Sequence, residues 1–292
     1  MNKKNLPKCL DCKKIISHMS KARCKKCATK YRVKKYIGTY CEGNLQKLLN
    51  NKLQTYYWIG FLTADGSIDF NSYRLKFALA TKDKSQVKKF ANYICCKNIH
   101  NYKNHCEVQI QDKLFVPKII KKYKFTKKKT YHPCGYQWLK KSSNNIFLSF
   151  LIGLIDGDGC VKHQSGRKDY MIQIKMHKNW LKYLHYIRNR LIKITKINIP
   201  KPYLVTDKKY SILVFANSLI INFIKQFINN HSLPILHRKW NKVPYNYISK
   251  YTTTRLNSIK VKKLLKKGFK QYKIAEILNL SNAAVSNLKR RK

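Results

Sequence analysis

Trp58–Gly66 reads WIGFLTADG and Leu151–Gly159 reads LIGLIDGDG. Each is an apolar stretch with small residues four apart that closes on Asp-Gly, and the second follows the first by 93 positions (158 minus 65). In helical register Gly60 and Ala64 share a face, as do Gly153 and Gly157, so two such helices can pack with their backbones unusually close. That packing would bring Asp65 and Asp158 together. Gly66 and Gly159 are expected to end the two helices in the left-handed conformation.

The acids in these windows stand out against the composition. The 292 residues hold 12 Asp and Glu against 63 Lys and Arg, yet Asp65, Asp156 and Asp158 all fall inside these 18 positions. A carboxylate at a helix C-terminus faces the negative end of the dipole, and two of them repel one another as well. A hard divalent cation with oxygen ligands, Mg2+, would relieve both, with phosphate oxygens and water completing its coordination. Taken singly, either window also reads as a buried helix end with Asp as a turn residue. The duplication argues instead for an internal repeat with a pseudo-twofold site.

Together the windows resemble the two motifs of a single-chain LAGLIDADG homing endonuclease. LIGLIDGDG matches closely, while WIGFLTADG departs at Thr63, where the family often has an acid. The resemblance implies that the last acid of each motif, Asp65 and Asp158, is catalytic and binds Mg2+. It also implies a lysine late in each repeat: KKTYHP supplies Lys129 and LPILHRKW supplies Lys239, with Arg238 adjacent. The fold it implies is α+β, two pseudo-symmetric αββαββα units whose twisted sheets form a saddle on duplex DNA.

Patterning along the chain runs in the same order. The first repeat, 41–143, has a motif helix over Leu45–Thr63, a strand burying Tyr73, Leu75, Phe77 and Leu79, and a helix over Asp83–Cys95. A second hairpin turns Val108 and Ile110 inward, and Leu114–Tyr123 closes the repeat as a basic helix. In the second repeat, 144–250, the motif helix spans about Asn145–Asp156 and a strand over Tyr170–His177 buries Ile172 and Ile174. A helix over Asn179–Ile194, a hairpin of Tyr203–Val205 with Tyr210–Phe215, and a helix over Ser218–Ile228 follow. The opposite strand faces carry Arg74, Lys76, Gln109, Gln111, Gln173 and Lys175, side chains that match guanine and adenine edges in the major groove. Any soluble sheet has a polar outer face, so these six are DNA contacts only on the agreement among strands.

A formal charge of +51 makes the compact chain self-repelling unless a polyanion neutralises it, and double-stranded DNA is the expected partner of a monomeric protein. A Lys-rich coding bias supplies some of that charge but does not account for the scarcity of acids. Met1–Cys9 has no apolar stretch behind its basic residues, and the longest apolar run, Ile146–Ile155, is too short for a bilayer. No membrane association is expected, and the protein is placed inside the cell, with DNA. Cys9, Cys12, Cys24 and Cys27 form C-x2-C-x11-C-x2-C, the spacing of a structural Zn2+ site with four thiolates in a small ribbon over residues 1–40. Cys41, Cys95, Cys96, Cys106, Cys134 and Cys160 show no such pairing and read as buried or incidental thiols. Basic Tyr31–Tyr40 reads as a linker along a phosphate backbone.

The tail, 251–292, reads as three short helices over Ile259–Lys267, Tyr272–Leu278 and Ala283–Arg290. Ala275, Leu280 and Val285 have helix-turn-helix spacing, Ser281 caps the recognition helix, and Asn282, Ala283, Ser286 and Asn287 would face the groove. These parts point to an endonuclease, freestanding or intron-encoded, that makes a staggered double-strand break at a long target. A non-cleaving transcriptional regulator and an RNA-splicing maturase on the same scaffold are the alternatives. No intein is expected, since no splicing Cys or Ser opens the sequence and no His-Asn closes it.

Overall fold

A computed structural model describes residues 8–15, 23–27, 43–163, 169–205, 208–244 and 246–290. The linker expected over Tyr31–Tyr40 lies outside them. The same run of elements occurs twice. Motif helix α1 (Leu53–Ala64) leads into the hairpin β1 (Gly66–Asp69) and β2 (Arg74–Ala80), helix α2 (Lys84–Tyr93), strands β3 (His100–Asn101) and β4 (His105–Gln111), and helix α3 (Phe115–Tyr123). After the single turn α4 (Gln137–Lys140), motif helix α5 (Asn144–Asp158) restarts the series. It continues through β5 (Gly159–His163), β6 (Tyr170–His177), α6 (Leu181–Thr195), β7 (Tyr203–Leu204), β8 (Tyr210–Phe215) and α7 (Ser218–His231), with the turn α8 (His237–Trp240) behind it. The fold is α+β with two antiparallel four-stranded sheets of equivalent order, β1-β2-β4-β3 and β5-β6-β8-β7.

The chain divides into two compact units, residues 1–50 with 66–119 and residues 51–65 with 120–292. In the first unit, Leu75, Phe77, Val108 and Ile110 form the buried sheet face, covered by Val87 and Phe90 of α2. Phe77 and Phe90 meet with ring centroids 4.8 Å apart. In the second unit, Ile172, Ile174, Leu213 and Phe215 of the other sheet are buried, as are Leu184, Ile187 and Leu191 of α6 and Ile220, Ile221 and Ile224 of α7. Burying each such side chain stabilises the fold by roughly 1.5–3 kcal/mol.

The first motif helix therefore belongs to the second unit, where it packs along α5. A Cβ built on Gly60 would land on the Phe150 carbonyl, and one on Gly153 would land on the Tyr57 carbonyl. The two collisions are related by the same displacement of 93 positions as the motifs (150 minus 57, 153 minus 60). Backbone thus meets backbone at both crossing points, and only glycine leaves the room.

Several expectations need correction. Tyr73 precedes β2 with φ +52°, and neither it nor Leu79 is fully buried. The helix expected over Leu45–Thr63 is broken: a 3-10 turn spans Leu45–Leu49, Asn50 is extended with ψ 154°, and α1 starts at Leu53. Asn50 and Asn51 interrupt it, in keeping with the low helix preference of that side chain. Neither motif glycine is left-handed. Gly159 has φ −83° and ψ 159° and Gly66 opens β1, so each chain end passes straight from helix into strand. Gly159 is needed for space, because a Cβ there would strike the backbone of Ile155. Finally, Cys96 is buried, as expected, but disulfide-bonded rather than a free thiol.

The tail forms three helices, α9 (Lys250–Lys266), α10 (Gln271–Leu278) and α11 (Asn282–Arg290). The first begins nine residues before the expected Ile259, because Ser249 caps it by accepting from the Thr252 amide at 3.1 Å. Gly268, with φ +82°, ends it in the left-handed region. Val261, Ile274, Ala275, Val285 and Leu288 form a core of the tail's own.

Candidate active site

Helices α1 and α5 both end at an acid, and the two ends sit side by side. A Cβ on Gly157 would overlap the Ala64 Cβ and lie 3.4 Å from Asp65 Oδ2, so the Asp65 carboxylate lies against the last turn of α5. Asp65 and Asp158 are solvent-exposed, whereas Asp156 is buried. Of the three acids in the motifs, the two that close them face outward and the third is enclosed.

Each helix end carries a lysine on its carbonyls. Lys129 Nζ donates to the Thr63 carbonyl at 2.9 Å and to that of Ala64. Lys239 Nζ donates to the carbonyls of Ile155 (2.9 Å), Asp156 (2.5 Å), Gly157 (3.0 Å) and Gly159 (2.7 Å). A cation there complements the negative end of the dipole and satisfies carbonyls that the helix leaves unpaired. Desolvation lowers the pKa of both lysines. Asp158 is the strongest counter-charge on Lys129, ahead of Asp65, and Lys239 feels Asp156 first and Asp65 after it. Each lysine thus caps its own motif helix, but Lys129 shares a recess with Asp158 of the other motif, whereas Lys239 meets first the charge of Asp156 in its own. Desolvation by the surrounding protein pushes the Asp158 carboxyl upward although its edge reaches solvent, and Lys129 and then Lys239 pull it back.

Asp156 anchors the segment that bears Lys239. Its Oδ2 accepts from Tyr57 Oη and the Leu236 amide, both at 2.8 Å, and its Oδ1 accepts from Trp240 Nε1 at 2.6 Å. Burial raises its pKa, opposed by those three hydrogen bonds and then by the Lys239 charge. At the equivalent position of the first motif Thr63 only donates to the Ile59 carbonyl within its own helix, at 2.7 Å. The Lys129 segment is held from elsewhere, by Trp180 Nε1 donating to the carbonyls of Lys129 and Thr130 at 3.1 Å each. Sequence reading missed the role of Asp156; the aromatic Tyr57 and Trp240 flanking the motif and the Lys239 segment were the available signal.

A recess of about 400 Å³ opens at this end of the helix pair, lined by Lys129, Asp158, Lys175, His177, Trp180 and Tyr210 among others. It joins the helix ends to the outward face of the second sheet. Lys175 Nζ lies 4.3 Å from the Tyr210 ring centroid, and Gln173 is half-buried beside it in β6. No acid opposes these side chains on β6 or β8.

The first sheet differs. Arg74 pairs with Asp69 at 3.5 Å, Lys76 with Glu107 at 2.5 Å, Gln109 donates to Glu107, and Gln111 donates to the Ser72 carbonyl at 2.9 Å. All four expected contacts on this sheet are therefore engaged within the protein. Glu107 is buried on an otherwise polar face; desolvation opposes its charge, but Lys76, Gln109 and His105 hold its carboxyl below the usual range.

Among the described residues, Cys9, Cys12, Cys24 and Cys27 form the one cluster suited to a metal, with all ligand atoms within 4.8 Å of one another. Cys12 and Cys24 sulfurs are 3.6 Å apart. Backbone N–H groups of Cys12 and then Cys24 lower the Cys9 thiol to about 6. In the tail, Ser281 Oγ accepts from the Ala284 amide at 3.1 Å, and Asn282, Ala283 and Asn287 are exposed with Ser286 half-buried. Among the described residues, no helix is long and apolar enough to cross a membrane.

No family model and no curated protein matches the chain. Solved structures do. Meganuclease I-SmaMI bound to uncleaveable DNA with a TTCT central four is 13% identical, with 74% of this chain and 98% of that one covered at a TM-score of 0.44. LAGLIDADG homing endonuclease I-GzeII in complex with its DNA target is 13% identical, covering 81% and 97% at a TM-score of 0.39. The N-terminal LAGLIDADG domain of DUF199/WhiA is 17% identical, covering 60% and 80% at a TM-score of 0.39.

Proposed function

We propose that this chain is a site-specific DNA endonuclease of the LAGLIDADG type, making a staggered double-strand break at a long duplex target by divalent-metal-dependent phosphodiester hydrolysis. The observation that carries this reading is the pair of helix ends, each with an exposed terminal carboxylate and a desolvated lysine fixed on its carbonyls. Asp65 and Asp158 offer oxygen donors at adjacent helix ends, a donor set that suits Mg2+. Bound there, Mg2+ would polarise the phosphate and lower the pKa of a water. The protein's own part is electrostatic. Lys129 and Lys239, held by backbone carbonyls, need no reorganisation to offset the negative charge that develops on the phosphate. Gln173 and Lys175 contact the duplex from the second sheet. Arg74, Lys76, Gln109 and Gln111 contact it from the first, after exchanging their internal partners.

Incubating the protein with a randomised duplex library, with and without Mg2+, tests the reading. Mg2+-dependent cutting at a recurrent sequence supports it. Tight binding of a recurrent duplex with no cutting would leave a transcriptional regulator, and selective binding of folded RNA in its place would leave a maturase.

The remaining modules serve binding. The four thiolates hold one Zn2+, and elemental analysis after reducing purification should return one zinc per chain. Cys24→Ser with Cys27→Ser should lose the zinc and weaken duplex binding while cutting at the same phosphates. The tail presents Asn282, Ser286 and Asn287 to a groove as a helix-turn-helix. Truncation after Ser249 removes it together with its own core, so binding should weaken and its salt dependence become shallower by about one unit of slope per lost phosphate contact. A cleavage position that shifts on truncation would show that the tail sets the register.

A further inference from the structure

The second sheet has two sides. On β6, Gln173 and Lys175 face outward toward the recess, while Ile172 and Ile174 are buried on the side covered by α6. Helix α6 buries Tyr183, Leu184, Ile187 and Leu191, so its solvent side looks away from that outward face. A cleft of about 900 Å³ lies there, between α6 and the segment joining α4 to α5. Neither the catalytic acids nor the strand faces reach it.

Five of its twelve lining residues are Lys or Arg and none is acidic. Lys140, Lys182, Lys193 and Lys196 are exposed. Arg190 builds the wall: it donates to the carbonyls of Leu139, Ser142 and Ser143 and to Tyr186 Oη. Tyr136 and Tyr186 stack with centroids 4.8 Å apart and planes 18° from parallel, both half-buried. Ser142, Asn144 and Asn189 add donors and acceptors.

Cations without acids suit phosphates, and flat rings with amide edges suit bases. An acidic peptide would use the lysines and leave the ring pair idle. We propose that this cleft binds a single-stranded nucleic-acid segment, its phosphates on Lys182, Lys193 and Lys196 and a base against the Tyr136–Tyr186 pair, apart from the duplex face. The inference stands whether or not the chain cuts DNA.

The test uses the full chain, with fluorescein-labelled 12-nucleotide oligo(dT), oligo(U) and an abasic strand of the same length, and a duplex measured in parallel. Changing Lys182, Lys193 and Lys196 together to Gln should weaken both base-bearing strands about tenfold or more and reduce the salt slope by about two. Tyr186→Leu should weaken them about tenfold and leave the abasic strand unchanged. Neither variant should alter duplex affinity. In the unmodified protein, 4-thiouridine or 5-iodouracil strands should crosslink to Tyr136 or Tyr186, a readout that does not depend on how a variant folds. The preferred strand, DNA or RNA, identifies the natural source. An abasic strand bound as tightly as oligo(dT) and oligo(U), polyglutamate competing as well as they do, or crosslinks confined to the sheet faces would each overturn the proposal.

Discussion

The end of α5 is closed by a buried carboxylate and a lysine that meets four carbonyls, and the end of α1 by a threonine hydroxyl and a lysine that meets two. Lys239 has spent its three hydrogens on the backbone, whereas Lys129 keeps one to offer a phosphate or a water. The segment bearing Lys239 is tied to the buried Asp156 through the Leu236 amide and Trp240 Nε1, and the one bearing Lys129 through Trp180 Nε1 on the carbonyls of Lys129 and Thr130 and Asn179 Nδ2 on that of Tyr131. Two ends that share a motif and a capping lysine thus differ in how they are anchored: the Lys239 segment by a carboxylate of its own motif helix, the Lys129 segment by side chains at Asn179 and Trp180.

The largest expected effect breaks the comparison by removing one acid at a time. Asp65→Asn and Asp158→Asn should each slow cutting of mainly one strand by roughly 1000-fold, turning linear product into nicked plasmid, with duplex binding largely intact. Full Mg2+-dependent cutting by the double variant would show that these acids are not the ones used.

The next effect sharpens it. Asp156→Asn places an amide against the donors Tyr57 Oη, Leu236 N and Trp240 Nε1, and should cost about 3 kcal/mol of unfolding free energy. Thr63→Val removes only a back-bond inside α1 and should cost less than about 1 kcal/mol. Similar losses in denaturant titrations would mean that the two ends are equally anchored.

The smallest effect is on pH. Desolvation raises Asp158, and Lys129 is the first group that opposes the shift. A carboxyl with a raised pKa loses its charge as pH falls at a higher pH than an ordinary one, so Mg2+-dependent cutting should have an early acid limb. Lys129→Met removes the opposing cation, raises Asp158 further and should move that limb to higher pH. Lys239→Met should move it less, since Lys239 is the second such group. The reverse order in pH–rate profiles would contradict the pairing of Lys129 with Asp158.

Much of this architecture was legible because repetition is local. Small residues four apart and a closing acid repeat within nine positions, and strand alternation at Leu75, Phe77, Ile172 and Ile174 shows which face is buried. The lysines came from resemblance alone; in a chain with 63 basic residues no spacing singles out Lys129 or Lys239. Asp156 was not legible as an anchor, since its donors lie 80 to 99 positions away, and the burial of Glu107 was not legible, because only the sheet register brings Lys76 to it. Gly60 and Gly153 were legible as close-packing positions, whereas Gly159 was read for backbone angle when its constraint is space against Ile155 of its own helix.

The crossing of α1 and α5 also works as a ruler. Where carbonyl abuts glycine at both contacts, the separation of the two helix ends is a backbone dimension, insensitive to which apolar side chains fill the surrounding core. Relatives that repacked every Leu and Phe around this crossing would still hold their terminal acids at one spacing. On the function proposed above, the stagger between the two cuts would be inherited with two glycines, while the sheets are free to drift toward new targets.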